Sequence, residues 1–149
     1  MKYELQDIKE KVNRAIWLLL KNDLLLFKYE VGEWSISHKL AEYLQSEFPE
    51  WHVDCEYNRD MALVKKFGFT NIRPDIIIHL RGTSENLLVI EIKTAKNPDH
   101  EGGDGERIKG MTDMAGRFRY KFGAFIFFDI DADKYNYPKP SFYENGREA

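Results

Sequence analysis

The sequence predicts an α/β fold, a mixed β-sheet flanked by helices, in one domain spanning residues 1–149. Three observations predict it: an amphipathic N-terminal helix, short apolar segments of strand length, and the order helix, three strands, helix, strand. With 43% hydrophobic residues the chain can bury a real core, which excludes wholesale disorder. No repeat or linker divides it, so we expect a single compact unit.

Composition and charge exclude several classes of protein. One cysteine excludes a disulfide scaffold and a cysteine-based zinc finger, and it favours a reducing, cytoplasmic compartment. The longest apolar run near the N-terminus, residues 15–20, is far shorter than the roughly 20 residues that span a bilayer, so we expect no membrane association. Because the net charge is −3, any contact with nucleic acid must be local rather than driven by bulk charge.

Two helices are predicted at the start of the chain. A three-and-four spacing of apolar residues predicts an N-terminal helix over residues 4–20. A second helix is expected from a cap at Ser35 or Ser37 to about Glu47, because Pro49 stops it. The apolar stripe of this second helix consists of Ile36, Leu40, Tyr43, Leu44 and Phe48.

Three strands follow. Polar and apolar residues alternate over residues 51–57, which is the pattern of a half-buried strand. Pro74 suits the first position of a strand, and residues 75–80 continue from it. Residues 87–93 are almost continuously apolar, which indicates a strand that is covered on both faces.

The remaining chain is predicted as loop, helix, strand and tail. Glycines and a proline mark residues 97–105 as a loop, and residues 106–121 are expected to be helical. Residues 123–129 form a fourth buried strand, and residues 132–149 show no usable periodicity, so we expect an irregular tail. The predicted core therefore covers about residues 36–129.

Two charged residues interrupt the third strand and require an explanation. Glu91 and Lys93 are two apart, so their side chains project from the same face of the strand. Asp75 opens the preceding strand, and a hairpin between the two strands would bring it to Glu91 and Lys93. Since an unpaired buried charge costs several kcal/mol, something must compensate these groups.

A divalent cation would relieve the repulsion between the two carboxylates. Mg²⁺ accepts oxygen ligands and is commonly held by one or two carboxylates, here Asp75 and Glu91, and the Ile92 backbone carbonyl could supply another oxygen. Lys93 would then stand beside the attacking water in a phosphodiester hydrolysis. The blander alternative is that Asp75 faces solvent while Glu91 and Lys93 form a salt bridge.

The residues Pro74-Asp75 followed by Glu91-Ile92-Lys93 resemble the signature of the PD-(D/E)XK nuclease superfamily. The resemblance covers about residues 36–129 and implies a restriction-endonuclease-like core of αβββαβ order with an extra N-terminal helix. It implies a magnesium-dependent nuclease, with manganese as a substitute, in which Asp75 and Glu91 bind the ion and Lys93 assists hydrolysis. DNA is the expected substrate, and a homodimer is a family-based expectation.

The resemblance also implies a glutamate on the helix before the first core strand, which here would be Glu42. An ordinary solvated helix face explains Glu42 equally well. Glu56 could point toward the same cleft as Asp75 and Glu91. The simpler interpretation is a strand glutamate that lies opposite a basic residue. His79 shares a strand face with Asp75 by parity.

A basic segment is the best candidate for contact with nucleic acid. Its cations are interleaved with two aromatic residues, and such groups neutralise phosphates and stack on bases. The predicted nucleic-acid-binding residues are Arg107, Lys109, Arg117, Arg119 and Lys121. An ordinary exposed helix face is an equally good account of them.

Two other functions stay open. The chain could be a catalytically silent nuclease fold that binds nucleic acid or a protein, because a fold does not guarantee activity. It could also be a subunit that works only in a larger complex. Cleavage assays with and without divalent cations separate the nuclease from the first alternative.

Overall fold

The computed structural model describes residues 2–55, 59–60, 63–64, 66–67, 70–71, 73–95 and 103–149. Within these residues the chain forms an α/β fold in which a six-stranded mixed sheet has helices packed on both faces. The α/β prediction is confirmed at this level.

The described residues contain four helices. They are α1 (Leu5–Asp23), α2 (Leu25–Lys28), α3 (Glu33–Glu47) and α4 (Gly103–Thr112). The predicted N-terminal helix is confirmed, and it runs three residues beyond the expected end at residue 20. Gly32, rather than Ser35 or Ser37, is the N-cap of α3, so the helix begins before either serine and includes Glu33.

The strands of the main sheet include those predicted from the sequence. They are β1 (His52–Cys55), β6 (Ile76–His79), β7 (Asn86–Thr94), β8 (Phe122–Phe128), β9 (Ser141–Glu144) and β10 (Arg147–Glu148). The spatial order is β1-β6-β7-β8-β9-β10, and within it only β7 and β8 are parallel. The helix α4 therefore forms a crossover between two adjacent parallel strands.

Between β1 and β6, the described residues form two short antiparallel ladders. One joins β2 (Arg59–Asp60) to β3 (Leu63–Val64), and the other joins β4 (Lys66–Phe67) to β5 (Thr70–Asn71). Glu56 lies outside the described residues, as do residues 97–102 of the predicted loop.

Each face of the sheet has its own apolar core. One face packs on α1 and α3, and Ile90 and Ile92 of β7 belong to that core. The opposite face packs against α4, and Ile77 and Val89 belong to that second core. Because neighbouring residues in a strand alternate between faces, Glu91 and Lys93 lie on the α4 face.

Close packing of α4 on the sheet depends on Gly123 of β8. A Cβ atom there would overlap Ile108 of α4 and would lie 3.0 Å from Thr112 Cγ2. The absence of a side chain therefore lets the crossover helix lie directly against the parallel strands.

Two sequence predictions in the C-terminal third were wrong. The predicted helix over residues 106–121 begins at Gly103 and ends at Thr112, where Asp113 accepts a hydrogen bond from the Ala115 amide in a turn. The tail predicted as irregular over 132–149 instead adds β9 and β10 to the sheet. No helix among the described residues has the length and apolar character needed to cross a membrane.

Candidate active site

The candidate site lies where β6 begins beside the C-terminal half of β7. Ile76 pairs with Ile90, so the preceding residue, Asp75, lies opposite Glu91. An Asp75 carboxylate oxygen, Oδ2, accepts a hydrogen bond of 2.6 Å from the Ile92 backbone N–H. The structure therefore brings Asp75 to the segment that contains Glu91 and Lys93, across 17 positions of sequence.

Asp75, Glu91 and Lys93 share one face of the sheet. Cross-strand partners project from the same face, and Ile77 and Val89, which pair with each other, belong to the core on the α4 side. Asp75 and Glu91 are two residues farther along the same two strands, and Lys93 is two farther still. Glu91 is 3% exposed, whereas Asp75 and Lys93 are partly exposed.

The backbone carbonyl of Ile92 points toward the same side of β7 as its amide. In an antiparallel ladder one residue directs both its N–H and its C=O to the same neighbouring strand, and here the N–H meets Asp75. By register Pro74 stands opposite Ile92, and a proline has no N–H to donate to that carbonyl. The sequence Pro74-Asp75 thus ends the ladder beside the Ile92 oxygen.

Arg107 of α4 supplies a positive charge next to the buried acid. Its Nη2 atom lies 3.5 Å from Glu91 Oε2, and the two side chains are 37% and 4% exposed. This separation is longer than a charge-assisted hydrogen bond, so the contact is mainly coulombic. Sequence analysis assigned Arg107 to a nucleic-acid surface and did not connect it with Glu91.

A second glutamate, Glu33, lies at the same edge of β7 and was missed by the sequence analysis. Its Oε2 atom accepts a hydrogen bond of 3.3 Å from the Thr94 backbone N–H. The Ile92 and Thr94 amides are about 7 Å apart along the strand, with the Ile92 carbonyl between them. Gly32 followed by an acid was the signal that could have placed Glu33 in the first turn of α3.

Glu42, the helix glutamate predicted as an additional ligand, lies away from this cluster. It is nine residues beyond Glu33 on α3, about 13 Å farther along the helix axis. Its carboxylate lies 3.0 Å from His38 Nε2 and 3.6 Å from Lys39 Nζ, and its side chain is 51% exposed. The structure therefore does not bring Glu42 to the segment that contains Asp75 and Glu91, and Glu33 is the α3 glutamate that contacts β7.

The five residues predicted to bind nucleic acid do not share a helix face, because α4 ends at Thr112. They are Arg107, Lys109, Arg117, Arg119 and Lys121. Arg107 faces Glu91, while Lys121 Nζ donates a 2.8 Å hydrogen bond to the Tyr3 carbonyl. Contact of these residues with nucleic acid stays a prediction.

A second polar cluster joins β1, β6 and the turn after β6. Asp54 Oδ2 accepts hydrogen bonds from His79 Nε2 at 2.7 Å and from Arg81 Nε at 2.9 Å, and Oδ1 accepts one from Arg81 Nη2 at 2.6 Å. Burial favours the protonated acid, but the hydrogen bonds and charges of Arg81 and His79 outweigh it, so the pKa of Asp54 is lowered. His79 therefore pairs with Asp54.

The donor set at the candidate site suits Mg²⁺ in type but is small. Two carboxylates, Asp75 and Glu91, and the Ile92 carbonyl are hard oxygen ligands, and Mg²⁺ commonly completes its octahedron with water or phosphate. Among the described residues, no three His, Cys, Asp or Glu side chains are gathered closely enough to hold a metal ion. A metal here would therefore depend on two acids, a backbone oxygen and solvent.

Comparison with protein-family models, with curated proteins and with solved structures finds no match for this chain.

Proposed function

We propose that the protein is a divalent-metal-dependent nuclease that hydrolyses phosphodiester bonds, with DNA as the preferred substrate. The observation that carries this proposal is the 2.6 Å hydrogen bond between Asp75 and the Ile92 amide. It holds one carboxylate beside a strand segment that carries a buried acid and a lysine on the same face. A structural salt bridge between Glu91 and Lys93 alone would not require Asp75 to be there.

Asp75, Glu91 and the Ile92 carbonyl would hold the ion. When bound, a divalent cation polarises a phosphoryl oxygen and lowers the pKa of water. Glu33, at the Thr94 amide, stands at the outer side of this ligand set and can orient water by accepting its hydrogen bonds. The chain thus supplies acceptors on both sides of the Ile92 oxygen.

Lys93 supplies the positive charge on the reacting side of the site. Its ammonium group can donate a hydrogen bond that orients the attacking water and can stabilise the negative charge that grows on the phosphorus oxygens. Lys93 lies two residues beyond Glu91 in β7 and projects from the same face, and this placement fits the role. A lysine is suited to it because three donors rotate on a flexible stem.

The test is cleavage of supercoiled plasmid and of single-stranded DNA in Mg²⁺ and in Mn²⁺. We expect Lys93→Met to lose roughly 10²–10⁴-fold in rate, as general acid–base groups contribute. Asp75→Asn and Glu91→Gln should lose at least about 100-fold, because even groups that only orient metal ligands are worth 10–100-fold.

Matched controls separate chemistry from a general loss of charge. Asp133→Asn, Glu148→Gln and Lys139→Met alter exposed residues of the same three types and should keep wild-type rates. Circular dichroism melts in EDTA should verify that each variant folds. Wild-type turnover in all three site variants would remove the nuclease proposal.

The second candidate is a silent nuclease fold that binds nucleic acid or a protein. Arg107, 3.5 Å from Glu91, favours it, because an arginine can compensate the buried acid without any metal. DNA binding with no cleavage in either metal would support this candidate over the enzyme.

We further propose membership in the PD-(D/E)XK superfamily. The elements α3, β1, β6, β7, α4 and β8 follow the αβββαβ order, which supports this assignment. The homodimer and the cytoplasmic location stay predictions. Light scattering measures the first, and localisation of a tagged chain measures the second.

A further inference from the structure

A cavity on the α3 side of the sheet is lined by residues that the proposed reaction does not use. Its volume is about 460 Å³, and we call it the Trp34 pocket. Among the residues that the structure describes, those that line it are Leu26, Trp34, Ser35, His38, Lys39 and Cys55. A cavity of this size, with an aromatic ring, apolar surface and a few polar groups, is typical of small-ligand recognition.

Two residues that line the Trp34 pocket lie close, in sequence or in sheet register, to residues of the candidate site. Trp34 follows Glu33, whose carboxylate accepts the Thr94 amide hydrogen bond. Cys55 pairs with Ile76 in the sheet, and Ile76 follows Asp75. Cys55 and Ile76 pack on the α1 and α3 side of the sheet, whereas Asp75 projects to the α4 side, so the pocket and the candidate acids approach each other around the end of the sheet where β6 begins.

Trp34 is a large apolar side chain in an exposed position. It is 68% exposed in the first turn of α3 and is not among the buried residues of that helix. An exposed indole gains little for folding, but it can stack on the face of a nucleobase. The adjoining residues Leu26 and Cys55 are apolar, and apolar surface suits the face of a base rather than its polar edges.

The polar groups at the rim fit a phosphate. His38 and Lys39 line the pocket: Lys39 Nζ forms an exposed ion pair with Glu42 Oε2 at 3.6 Å, and His38 Nε2 lies 3.0 Å from Glu42 Oε1. Exposed ion pairs contribute only about 0–1 kcal/mol, so a phosphate can take over these donors at small cost. A base in the pocket with its phosphate at the rim therefore meets complementary chemistry.

We propose that the Trp34 pocket binds one unpaired base of a nucleic acid strand whose backbone passes through the candidate site. This inference rests on the proposed function, because it takes the polymer in the site to be nucleic acid. It adds the substrate class: a single strand, or a duplex with an end, flap or gap from which a base can be extruded. Bases within an intact duplex have no accessible face to stack on Trp34.

The experiment measures binding without cleavage. Fluorescence anisotropy in EDTA gives the Kd of labelled oligothymidine and of a duplex of equal length for wild type and Trp34→Ala. We expect Trp34→Ala to weaken oligothymidine binding roughly 5- to 150-fold, as one stacked base contributes ~1–3 kcal/mol. Trp34→Phe should retain most of the affinity, and duplex binding should be weak in all variants.

Trp17→Ala is the matched control. Trp17 is also exposed, at 51%, but it lies on α1 and does not line the pocket. Unchanged oligothymidine binding in Trp34→Ala, equal losses in both tryptophan variants, or an equal loss for duplex would each overturn the proposal. So would a wild-type protein that binds no oligothymidine.

The result is separable from the test of the nuclease. Stacking on Trp34 with no cleavage by the wild type would leave this inference standing while the nuclease proposal fails. Metal-dependent cleavage that needs Asp75, together with unchanged oligothymidine binding in Trp34→Ala, would support the nuclease proposal and overturn the inference about the Trp34 pocket.

Discussion

At the scale of single residues, the buried carboxylate of Glu91 has a cationic neighbour, the guanidinium of Arg107, 3.5 Å away. A buried charge that loses its partner is strongly destabilising. A metal at the same carboxylate would supply the compensation that Arg107 gives in its absence. If the proposed ion binds Glu91, the pair would link the stability of the metal-free protein to the affinity for the ion.

Replacing Arg107 by methionine tests this link. In EDTA we expect Arg107→Met to lose about 1–3 kcal/mol of unfolding free energy, less than a fully buried pair because the arginine is 37% exposed. Addition of Mg²⁺ or Mn²⁺ should then raise Tm more in the variant than in wild type, since ligand binding to the native state stabilises it. Thermal melts monitored by circular dichroism measure both effects.

Arg147→Met is the control, because Arg147 is exposed on β10. It should melt like wild type with and without metal. Equal Tm values for Arg107→Met and wild type in EDTA would show that Glu91 does not depend on this arginine.

Asp54 gives a pH-dependent prediction. Because its pKa is lower in the folded than in the unfolded chain, the carboxylate stabilises the fold near neutral pH, and this contribution is lost as pH falls through the folded pKa, below about 4. Asp54→Asn should cost ~1–3 kcal/mol near neutrality, where it weakens the contacts with His79 and Arg81.

Urea denaturation at neutral pH and below pH ~4 measures the difference in unfolding free energy between Asp54→Asn and wild type. This difference in unfolding free energy should become smaller in acid, whereas the exposed control Asp133→Asn should differ little from wild type at either pH. A gap that widened in acid would contradict the assignment of the low pKa to Asp54.

Residue-level patterns predicted part of the candidate site. Asp75, Glu91 and Lys93 could be grouped because strand parity and a hairpin connection are local features of the sequence. Glu33 could not be chosen over Glu42 once the helix start was placed at Ser35 or Ser37, which left Glu33 outside the helix. The contact between Arg107 and Glu91 depends on where α4 crosses the sheet, and no local pattern encodes that.

At the scale of elements, apolar periodicity predicted α1, α3 and the strands β1, β6, β7 and β8, since these elements bury one or both faces. The tail was missed although it carries a hairpin signal. Asn145 and Gly146 have φ angles of 56° and 77°, as a two-residue turn of type I′ requires, and they connect β9 to β10. The prolines and tyrosines before this turn break the polar and apolar alternation by which a strand is predicted, so β9 and β10 were not predicted.

Gly123 and Gly105 give opposite predictions for the same substitution. Gly123→Ala should destabilise by about 1–3 kcal/mol, because its methyl group would overlap Ile108 and force α4 away from β8. Gly105→Ala, inside α4, meets its nearest atom, Tyr143 Oη, at 3.5 Å and should stabilise by about 0.4–1 kcal/mol. Chemical denaturation of both variants checks the pair, and a harmless Gly123→Ala would contradict the packing described.

At the scale of the whole molecule, the candidate site lies at the end of the sheet where the shorter strand β6 begins and its longer partner β7 continues past it. β6 begins at Ile76, whereas β7 continues to Thr94. Beyond that point Asp75 accepts the Ile92 amide and Glu33 accepts the Thr94 amide. The unequal lengths of the two paired strands thus leave the carbonyl of Ile92, a residue that is 0% exposed, between Asp75 and Glu33, and the proposed function requires this carbonyl as a ligand.

The most direct test of the central claim is a crystal structure of the protein grown with Mn²⁺, whose anomalous signal locates the ion. We predict one manganese bound by Asp75, Glu91 and the Ile92 carbonyl oxygen, at about 2.1–2.2 Å, with Arg107 moved away from Glu91. Manganese bound elsewhere, or no manganese while Arg107 stays on Glu91, would contradict the claim that these residues form a metal site.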